Sequence, residues 1–356
     1  MTVIEFLYCL GYSIKKHYAL KNQKRLPHNV LSIGNITLGG TGKTPATVAL
    51  AKEAIKRGFK PCILTRGYRG VAKGPCFVSR GEGPILDEYH AGDEALLLAE
   101  KLKGIPIIKG NDRYKAGIFT LQNLESRILF ILDDGFQHWR LHRDKDIVLI
   151  DSTNPFGNRK IVPLGPLREP LSALSRAGVI VITKTKISDQ KSGDTPSLTL
   201  PPRGGGMGGW EQRQRSDVND LFGEIRQYNA KAPLFFAAHN PLNFITPTGD
   251  IFPLEWAVGK RFFGFCGIGN PASFRKTLLS TNIDLMGFKP YRDHYRYSPG
   301  DIRDIKKVAE KTGAEWIVTT EKDIMRLKGL GLPENLVLLD IEFSVDERFY
   351  DEVFNL

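Results

Sequence analysis

The sequence has few cysteines and no long apolar run, and both absences narrow the possibilities. Its four cysteines stand far apart among 356 residues, and no two of them form a CxxC pair. This spacing indicates neither a zinc site nor a disulfide framework, and it fits a reducing, cytosolic compartment. Spanning a bilayer requires about 18 or more apolar residues in succession. No run approaches that length, so no transmembrane helix is predicted.

Acidic residues are also in deficit. The chain contains 39 Asp and Glu against 50 Lys and Arg, which gives a formal net charge of +11 at pH 7. This balance favours anionic partners: nucleotides, phosphorylated lipids, acidic bilayer surfaces or nucleic acid. Charge alone does not choose among them. The hydrophobic content of 41% is ordinary for a globular protein, and the length suits two domains.

A glycine-rich segment is the strongest motif. GNITLGGTGKTP, from Gly34 to Pro45, follows a short apolar run and opens a helical pattern that continues to Arg57. This order is typical of a phosphate-binding loop, where backbone N–H groups and the helix dipole bind an anion. Lys43 is expected to reach the outer phosphates and Thr44 to ligate Mg²⁺. Thr37 occupies the first glycine position of the motif, so a glycine-rich turn is the alternative. The predicted nucleotide-binding residues are Gly39, Gly40, Thr41, Gly42, Lys43 and Thr44.

A second motif places two carboxylates at the end of a predicted buried strand. ILFILDDGFQH, from Ile128 to His138, contains an apolar run that ends in Asp133 and Asp134. A strand buried in a parallel sheet delivers such residues to the carboxyl edge, where open α/β sheets bind ligands. We interpret both residues as Mg²⁺-binding acids that serve the phosphate loop. A simple turn is the alternative.

The remaining pattern predicts an α/β fold with a doubly wound parallel sheet of the P-loop NTPase type, joined through a hairpin or linker to a second, smaller α/β domain. The predicted domains are an amphipathic helix at 1–28, a P-loop core at 29–228 and a C-terminal domain at 229–356. The core includes a Gly/Pro-rich insertion at 188–216, which we interpret as flexible. The core strands are predicted at Val30–Ile33, Pro61–Thr65, Ile105–Ile108, Ile128–Leu132, Asp146–Ile150 and Val179–Thr183.

The N-terminal segment, residues 1 to 25, predicts an amphipathic helix. Lysines and an arginine gather toward its end, against the single acid Glu5. Such a helix lies in the headgroup region of a membrane, with its cations on anionic lipid, or packs on the protein's own core. The pattern alone leaves both readings open. The apolar residues at helical spacing are Val3, Phe6, Leu7, Leu10, Ile14 and Tyr18.

Several other segments contain candidate functional side chains, and each also has an ordinary structural explanation. Acids in the first turn of a helix are favoured by its dipole whether or not they have a function. Arg and Tyr in a loop are usually solvated, and a lone loop histidine is usually inert. The candidates are Arg66 and Tyr68 in RGYRG, Asp93 and Glu94 at a helix start, Arg168 and Glu169 in a long loop, and His294 in RDHYRY.

In their order along the chain, these segments resemble the tetraacyldisaccharide 4'-kinase family of lipid A biosynthesis. The resemblance covers nearly the whole chain and includes GNITLGGTGKTP, TRGYRG, GDEA, LDDGFQH, PLGPLREP, FCGIGNP, RDHYRY and TTEKD. It implies transfer of the ATP γ-phosphoryl group to the 4'-hydroxyl of a tetraacylated glucosamine disaccharide 1-phosphate. The implied cofactors are ATP and Mg²⁺. The implied location is the cytoplasmic face of the bacterial inner membrane, with the lipid and an anionic membrane surface as partners and neither nucleic acid nor an obligate protein partner.

The resemblance also implies residue roles. Asp93 is expected to take the proton of the sugar hydroxyl, with His294 as its partner and Lys43 acting on the phosphates. Because Asp93 and His294 fall in different predicted domains, domain closure is expected to be a condition for the reaction. The implied metal group is Thr44, Asp133, Asp134 and Glu169. The implied substrate-binding group is Arg66, Tyr68, His138 and Arg168.

The sequence departs from the family pattern in two places. The insertion at 188–216 looks longer than family members need, and Tyr295 stands where a second histidine is common.

Two other functions compete with this interpretation. A P-loop GTPase or metallochaperone-like nucleotide switch is suggested by ITKTK, which partly resembles a guanine-reading N/TKxD element. However, Lys186 takes the place of its Asp, and DDG is not a DxxG switch. A nucleic-acid-binding protein is suggested by the net charge, but the basic residues are dispersed and no binding signature is present.

Overall fold

In the part of the chain that the structure describes, one thirteen-stranded sheet organises the molecule. The structure is a computed structural model that describes residues 3–124, 127–185 and 220–356. The order of paired strands is β11-β10-β12-β13-β8-β7-β6-β1-β5-β2-β4-β3, and β9 pairs with β8. The strands are β1 Val30–Gly34, β2 Pro61–Thr65, β3 Cys76–Ser79, β4 Ile107–Lys109, β5 Leu129–Asp133, β6 Lys145–Asp151, β7 Val179–Thr183, β8 Leu234–Ile245, β9 Ile251–Pro253, β10 Arg261–Cys266, β11 Asp284–Pro290, β12 Trp316–Thr320 and β13 Leu336–Val345.

Helices cover both faces of this sheet. Most begin at a side chain that caps their first turn; Ser298, for example, forms a reciprocal capping box with Asp301. Within the described ranges, no helix combines the length and apolar character needed to cross a membrane. The helices are α1 Val3–Lys21, α2 Lys43–Lys56, α3 Glu88–Ala91, α4 Asp93–Lys101, α5 Arg113–Asn123, α6 220–228, α7 Pro271–Leu279, α8 Pro299–Lys311, α9 Glu321–Leu327 and α10 Glu347–Phe354.

The first half of the sheet is the predicted doubly wound core. Strands β7, β6, β1, β5, β2 and β4 pair in parallel, in that order, and β3 closes the edge in the antiparallel direction. The predicted bounds of β2 and β7 are confirmed, and the other four predicted strands lie within one or two residues of the observed ones. Because β1 lies between β5 and β6, the loop that follows β1 is adjacent to the end of β5, where Ile33 pairs with Asp133.

The second half continues the same sheet. Strand β8 pairs in parallel with β7 and in the antiparallel direction with β13, after which β12, β10 and β11 follow in parallel. The predicted hairpin is confirmed as β8 and β9. The domain boundary at 228/229 stays a prediction, because the sheet crosses it without interruption. The predicted insertion at 188–216 lies outside the described residues.

The last helix returns to the first half. Phe349 and Val353 of α10 are buried in a cluster with Leu50 and Ala54 of α2. The ring of Phe354 also stacks on Phe59, with 5.4 Å between the ring centroids. The core of the first half is therefore completed by residues from the end of the chain.

Helix α1 presents apolar side chains to solvent. Leu10, Ile14 and Tyr18 are 48%, 49% and 62% exposed. The opposite side of the helix is attached to the first half, where the ring of Tyr12 lies edge-on to Trp139 at 5.2 Å between centroids. One side of α1 therefore packs on the protein, and the other side remains open to solvent.

Candidate active site

The phosphate loop connects β1 to α2. Gly42 precedes α2 with a φ of +87°, which favours glycine, and no side chain caps the first N–H groups of the helix. A Cβ atom built at Gly42 would lie only 2.1 Å from Cε1 of His239. Any side chain at position 42 would therefore disturb both the backbone and a contact with the second half, while the free N–H groups are left for an anion.

The second half also touches the loop through the turn GIGNP. A Cβ atom built at Gly269 would lie 3.0 Å from the Cα atom of Gly39 and 3.3 Å from the backbone nitrogen of Gly40. Glycines on both sides allow this close approach of two backbones. The loop is thus enclosed by both halves of the sheet.

Lys43 lies at the base of the loop, close to one of the two predicted acids. Its Nζ atom lies 3.4 Å from Oδ1 of Asn35 and 3.8 Å from Oδ1 of Asp134. Burial lowers the pKa of Lys43, and the Asp134 carboxylate opposes this effect.

The adjacent acids Asp133 and Asp134 have opposite environments. Burial, followed by repulsion from Glu94 and Asp134, raises the pKa of Asp133 to about 6. Its oxygens accept hydrogen bonds from the hydroxyl groups of Thr47 and Thr65, at 3.2 and 3.3 Å. Burial would also raise the pKa of Asp134, but Lys43 and Arg168 lower it to about 2. A guanidinium nitrogen of Arg168 lies 2.8 Å from both oxygens of Asp134.

The donor set beside the loop fits Mg²⁺. Thr44, Asp133 and Asp134 line one cavity and offer one hydroxyl and two carboxylates. Among the described residues, no group of three or more His, Cys, Asp or Glu forms a metal site. Mg²⁺ at nucleotide sites typically uses one or two carboxylates, with phosphate oxygens and water completing its coordination. The residues present therefore suit a cation that arrives with a nucleotide.

The structure does not bring Glu169 to this group. Its carboxylate is fully buried, and it accepts hydrogen bonds from Arg176 at 2.8 Å, from Gln137 at 2.9 Å and from the hydroxyl of Tyr12. Glu169 does not line the cavity formed by the described residues. Its lone pairs are engaged by the protein, so its position supports α1 and the loop around Arg168.

Asp93 and His294 are brought together from opposite halves of the sheet. Asp93 begins α4 and is 3% exposed, and its Oδ2 atom lies 2.8 Å from Nδ1 of His294. The hydrogen bond with Asp93 raises the pKa of His294. Burial would raise the pKa of Asp93, but His294 and then Lys322 and Arg326 lower it. Both shifts favour a charged pair.

The predicted substrate-binding residues Arg66, Tyr68, His138 and Arg168 line the same cavity, which has a volume of about 1920 Å³. The Tyr68 ring lies 5.4 Å from that of His294. Burial lowers the pKa of His138 to about 4, and its Nε2 accepts a hydrogen bond from the backbone of Arg113 at 3.3 Å. His138 is therefore a neutral member of the wall. The cavity joins the phosphate loop, α1 and the His294 loop into one site.

Comparisons with known proteins agree with this geometry. The sequence model of the tetraacyldisaccharide-1-P 4'-kinase family matches residues 1–355. The chain belongs to this family. The resemblance seen in the motifs is thereby confirmed, and the nucleotide-switch alternative is not favoured.

Individual members of the tetraacyldisaccharide-1-P 4'-kinase family match along most of their length. The tetraacyldisaccharide 4'-kinase of Syntrophus aciditrophicus is 35% identical over 98% of this chain and 90% of its own. The enzyme of Halothermothrix orenii is 33% identical over 89% of this chain and 80% of its own. A crystal structure of LpxK from Aquifex aeolicus in complex with ATP superimposes with a TM-score of 0.70, at 26% identity, over 99% of this chain and 96% of that one.

Sequence reasoning missed several residues that surround the site of this family member. Arg326 of α9 lies 3.4 Å from Asp93 and donates a hydrogen bond to the carbonyl of Gly267 at 2.9 Å. Lys322 lies in the recognised segment TTEKD and pairs with Glu94, although the segment was assigned no role. His239 lies against Gly42, and burial lowers its pKa to about 4. No local signal marks His239, because its contact depends on the pairing of distant strands.

Proposed function

We propose that this protein transfers the γ-phosphoryl group of ATP to the 4'-hydroxyl of a tetraacylated glucosamine disaccharide 1-phosphate, which forms a 4'-phosphorylated lipid A intermediate. The decisive observation is that His294, which is hydrogen-bonded to the buried Asp93, lines the same cavity as the phosphate loop. A base held directly behind the wall of a nucleotide site suits transfer to an acceptor hydroxyl better than a binding switch. The acceptor itself is taken from the activity named for the relatives.

In the proposed reaction the sugar oxygen forms a bond to the γ-phosphorus while the bond from this phosphorus to the ADP oxygen breaks. Asp93 accepts the hydroxyl proton, and ADP leaves with the electron pair of the broken bond. His294 orients Asp93 and keeps it ionised. Lys43 and the N–H groups at the start of α2 hold the phosphates.

Mg²⁺ belongs to this proposal as a cofactor that Thr44, Asp133 and Asp134 would hold. When bound, it neutralises charge on the β- and γ-phosphates. Asp134 already faces Lys43 and Arg168, so the protein's own cations organise this side of the site before a nucleotide binds.

Access to Asp93 requires movement. Asp93 is 3% exposed and lies behind Glu94 and His294, which line the cavity. The acceptor hydroxyl therefore reaches Asp93 only when the His294 loop shifts. Because this loop belongs to the second half, we include relative movement of the two halves in the proposed cycle.

The proposed location is the cytoplasmic face of the bacterial inner membrane, where the protein binds peripherally without an obligate protein partner. Its exposed apolar side chains on α1 and its net charge of +11 support binding to an anionic surface. Tyr8, Lys15 and Tyr18 of α1 also line the cavity. A lipid substrate would thus enter the site from the side on which the helix contacts the bilayer.

The test is transfer of radiolabelled γ-phosphate from ATP to purified tetraacyldisaccharide 1-phosphate in mixed micelles. We expect labelling by the wild-type protein and a loss of about 10²–10⁴-fold in kcat for Asp93→Asn, since general base catalysis contributes this much. Asp87→Asn is the matched control, because Asp87 forms an exposed pair with His90 nearby, at 2.6 Å. Absence of lipid labelling despite nucleotide hydrolysis would reject the kinase function, and full activity of Asp93→Asn would reject the assigned base.

A further inference from the structure

Two helices from opposite halves of the sheet are joined by a row of ion pairs. Helix α4 belongs to the first half and α9 to the second, and they contact each other directly. Glu94 pairs with Lys322 at 2.7 Å, and Glu100 pairs with Lys328 at 2.5 Å. Arg326 extends the same row to Asp93.

Lys322 and Lys328 differ in what their ammonium groups face. Lys322 lines the cavity beside the phosphate loop, and its side chain keeps 29% exposure. Lys328 is 47% exposed and does not line the cavity described above. An ion pair as open as that of Lys328 contributes little to stability. Both ion pairs join a glutamate to a lysine. The Glu94–Lys322 pair therefore differs from the Glu100–Lys328 pair in its location beside the cavity.

Glu94 interacts electrostatically with Lys322 and also with Lys43 of the phosphate loop. Lys322, followed by Lys43, lowers the pKa of Glu94 against the effect of burial. Burial, and to a smaller extent repulsion from Lys322, lowers the pKa of Lys43. Burial would lower the pKa of Lys322, yet Glu94, Asp93 and Asp133 raise it. Lys322 and Lys43 thus both interact with Glu94 in the cavity where the outer phosphates are expected.

We propose that Lys322 is a second phosphate-binding cation, which contacts the terminal phosphate of ATP and stabilises the phosphoryl group during transfer. This inference rests on the proposed function. Glu94 holds Lys322 in place when the nucleotide is absent, and the terminal phosphate competes for the same ammonium group when it is present. No proton moves in this role. As the bond to the sugar oxygen forms and the bond to ADP breaks, Lys322 donates hydrogen bonds to the oxygens of the transferred group, where charge is concentrated.

Because Lys322 belongs to the second half, its proposed contact with the terminal phosphate has a second consequence. Lys43 comes from the first half and Lys322 from the second, so a terminal phosphate between them would be bound by both. ADP lacks this phosphate and would make no contact with Lys322. The proposal therefore predicts that Lys322 distinguishes ATP from ADP.

Equilibrium binding of β,γ-imido-ATP and of ADP, measured by calorimetry with Mg²⁺, tests the contact. For Lys322→Met we expect about tenfold weaker binding of β,γ-imido-ATP, the effect of losing about 1.4 kcal/mol, with ADP binding unchanged. We also expect kcat for transfer to fall about 10²–10³-fold, as when one donor to developing charge is removed. Lys322→Arg should recover part of this loss. Lys328→Met is the matched control and should leave all of these quantities unchanged.

The outcomes separate this inference from the function on which it rests. Equal weakening of ADP and β,γ-imido-ATP, or an unchanged kcat, would overturn the role of Lys322 and leave it as a structural partner of Glu94. If Lys322→Met does not fold because Glu94 is left without its partner, Glu94→Gln with Lys322→Met removes both charges and is compared with Glu94→Gln alone by the same criteria. Failure of the wild-type protein to label the lipid would reject the kinase function, whereas the binding comparison would still decide whether Lys322 contacts the terminal phosphate.

Discussion

Asp93 and His294 hold each other in their charged forms. The pKa of His294 is raised by its hydrogen bond with Asp93, and the pKa of Asp93 is lowered by His294 despite burial. The pair therefore stabilises the folded protein above the lowered pKa of Asp93 and below the raised pKa of His294. The stability gained through His294 is fully present below the ordinary pKa of an unfolded histidine. It is lost as the pH rises through the raised pKa of His294.

This pH dependence gives the first prediction. We expect His294→Gln to lower the free energy of unfolding by about 1.5–3 kcal/mol near pH 6, which is typical of a hydrogen bond between charged groups. The loss should shrink as the pH rises through the pKa of His294. Denaturant unfolding of both proteins between pH 5.5 and 9 measures it. His90→Gln is the control, because the Asp87–His90 pair is exposed; a pH-independent difference for His294→Gln would contradict the charged pair.

For single residues, the sequence predicts which side chains lie at the site more accurately than it predicts the role of each side chain. The phosphate-loop residues and the two acids at the end of β5 follow from local order, and the structure places them together. The separate environments of Asp133 and Asp134 do not follow from two identical adjacent letters, because Arg168 and Glu94 come from other elements. The engagement of Glu169 by Arg176 and Tyr12 is hidden for the same reason.

Among the helices and strands, α1 has one side packed on the protein and another side exposed to solvent. Its Tyr12 side lies on Trp139, while Leu10, Ile14 and Tyr18 remain open. A helix with this division can insert apolar side chains into a headgroup region without leaving the protein. The charge pattern and spacing predict the helix, but only the packing of Tyr12 shows which side stays available.

The second prediction concerns this open side. Ile14→Glu should weaken binding to anionic phosphatidylglycerol vesicles by about ten- to hundredfold, the effect of losing the burial of one large aliphatic side chain. Vesicle co-sedimentation measures the partition. Ile251→Glu is the matched control, since Ile251 is 63% exposed on β9 and belongs to a different element. Binding of ADP should be unaltered in both variants, and unchanged sedimentation of Ile14→Glu would show that α1 does not enter the bilayer.

Short elements explain most of what sequence reasoning missed. The long helix α8 has clear signals in the sequence, because its helical period, capping serine and N-terminal proline agree. Strand β3 and helix α9 are too brief to show a period. Yet α9 contributes Lys322 and Arg326 to the surroundings of Asp93, so an element with little signal of its own has a large effect on the site.

For the whole molecule, the continuous sheet implies that the halves unfold together. Strand β8 pairs with β7 of the first half and β13 of the second, and α10 returns to the core around α2. No local pattern predicts this connection, because periodicity identifies strands without showing which ones pair. The two predicted domains therefore share one sheet and part of one hydrophobic core.

The third prediction tests whether the two halves of the sheet depend on each other for stability. Phe349 of α10 is 2% exposed and lies against Phe235 of β8 at 5.6 Å between centroids. We expect Phe349→Ala to lower the free energy of unfolding by about 3–5 kcal/mol, as for a large aromatic removed from a core. Hydrogen exchange should show the same loss of protection in β1 and in β12. Leu356→Ala is the control, since Leu356 is 44% exposed; loss confined to one half would show that the halves unfold separately.

The return of α10 to α2 also has a consequence for biosynthesis. A ribosome makes the chain from its N-terminus at about 5–20 residues per second, and domains generally fold as they emerge. Here the phosphate loop is made early, and the aromatic side chains of α10 that complete the core beneath α2 are made after all thirteen described strands of the sheet. A nascent chain therefore exposes that apolar surface of α2 until α10 has been synthesised.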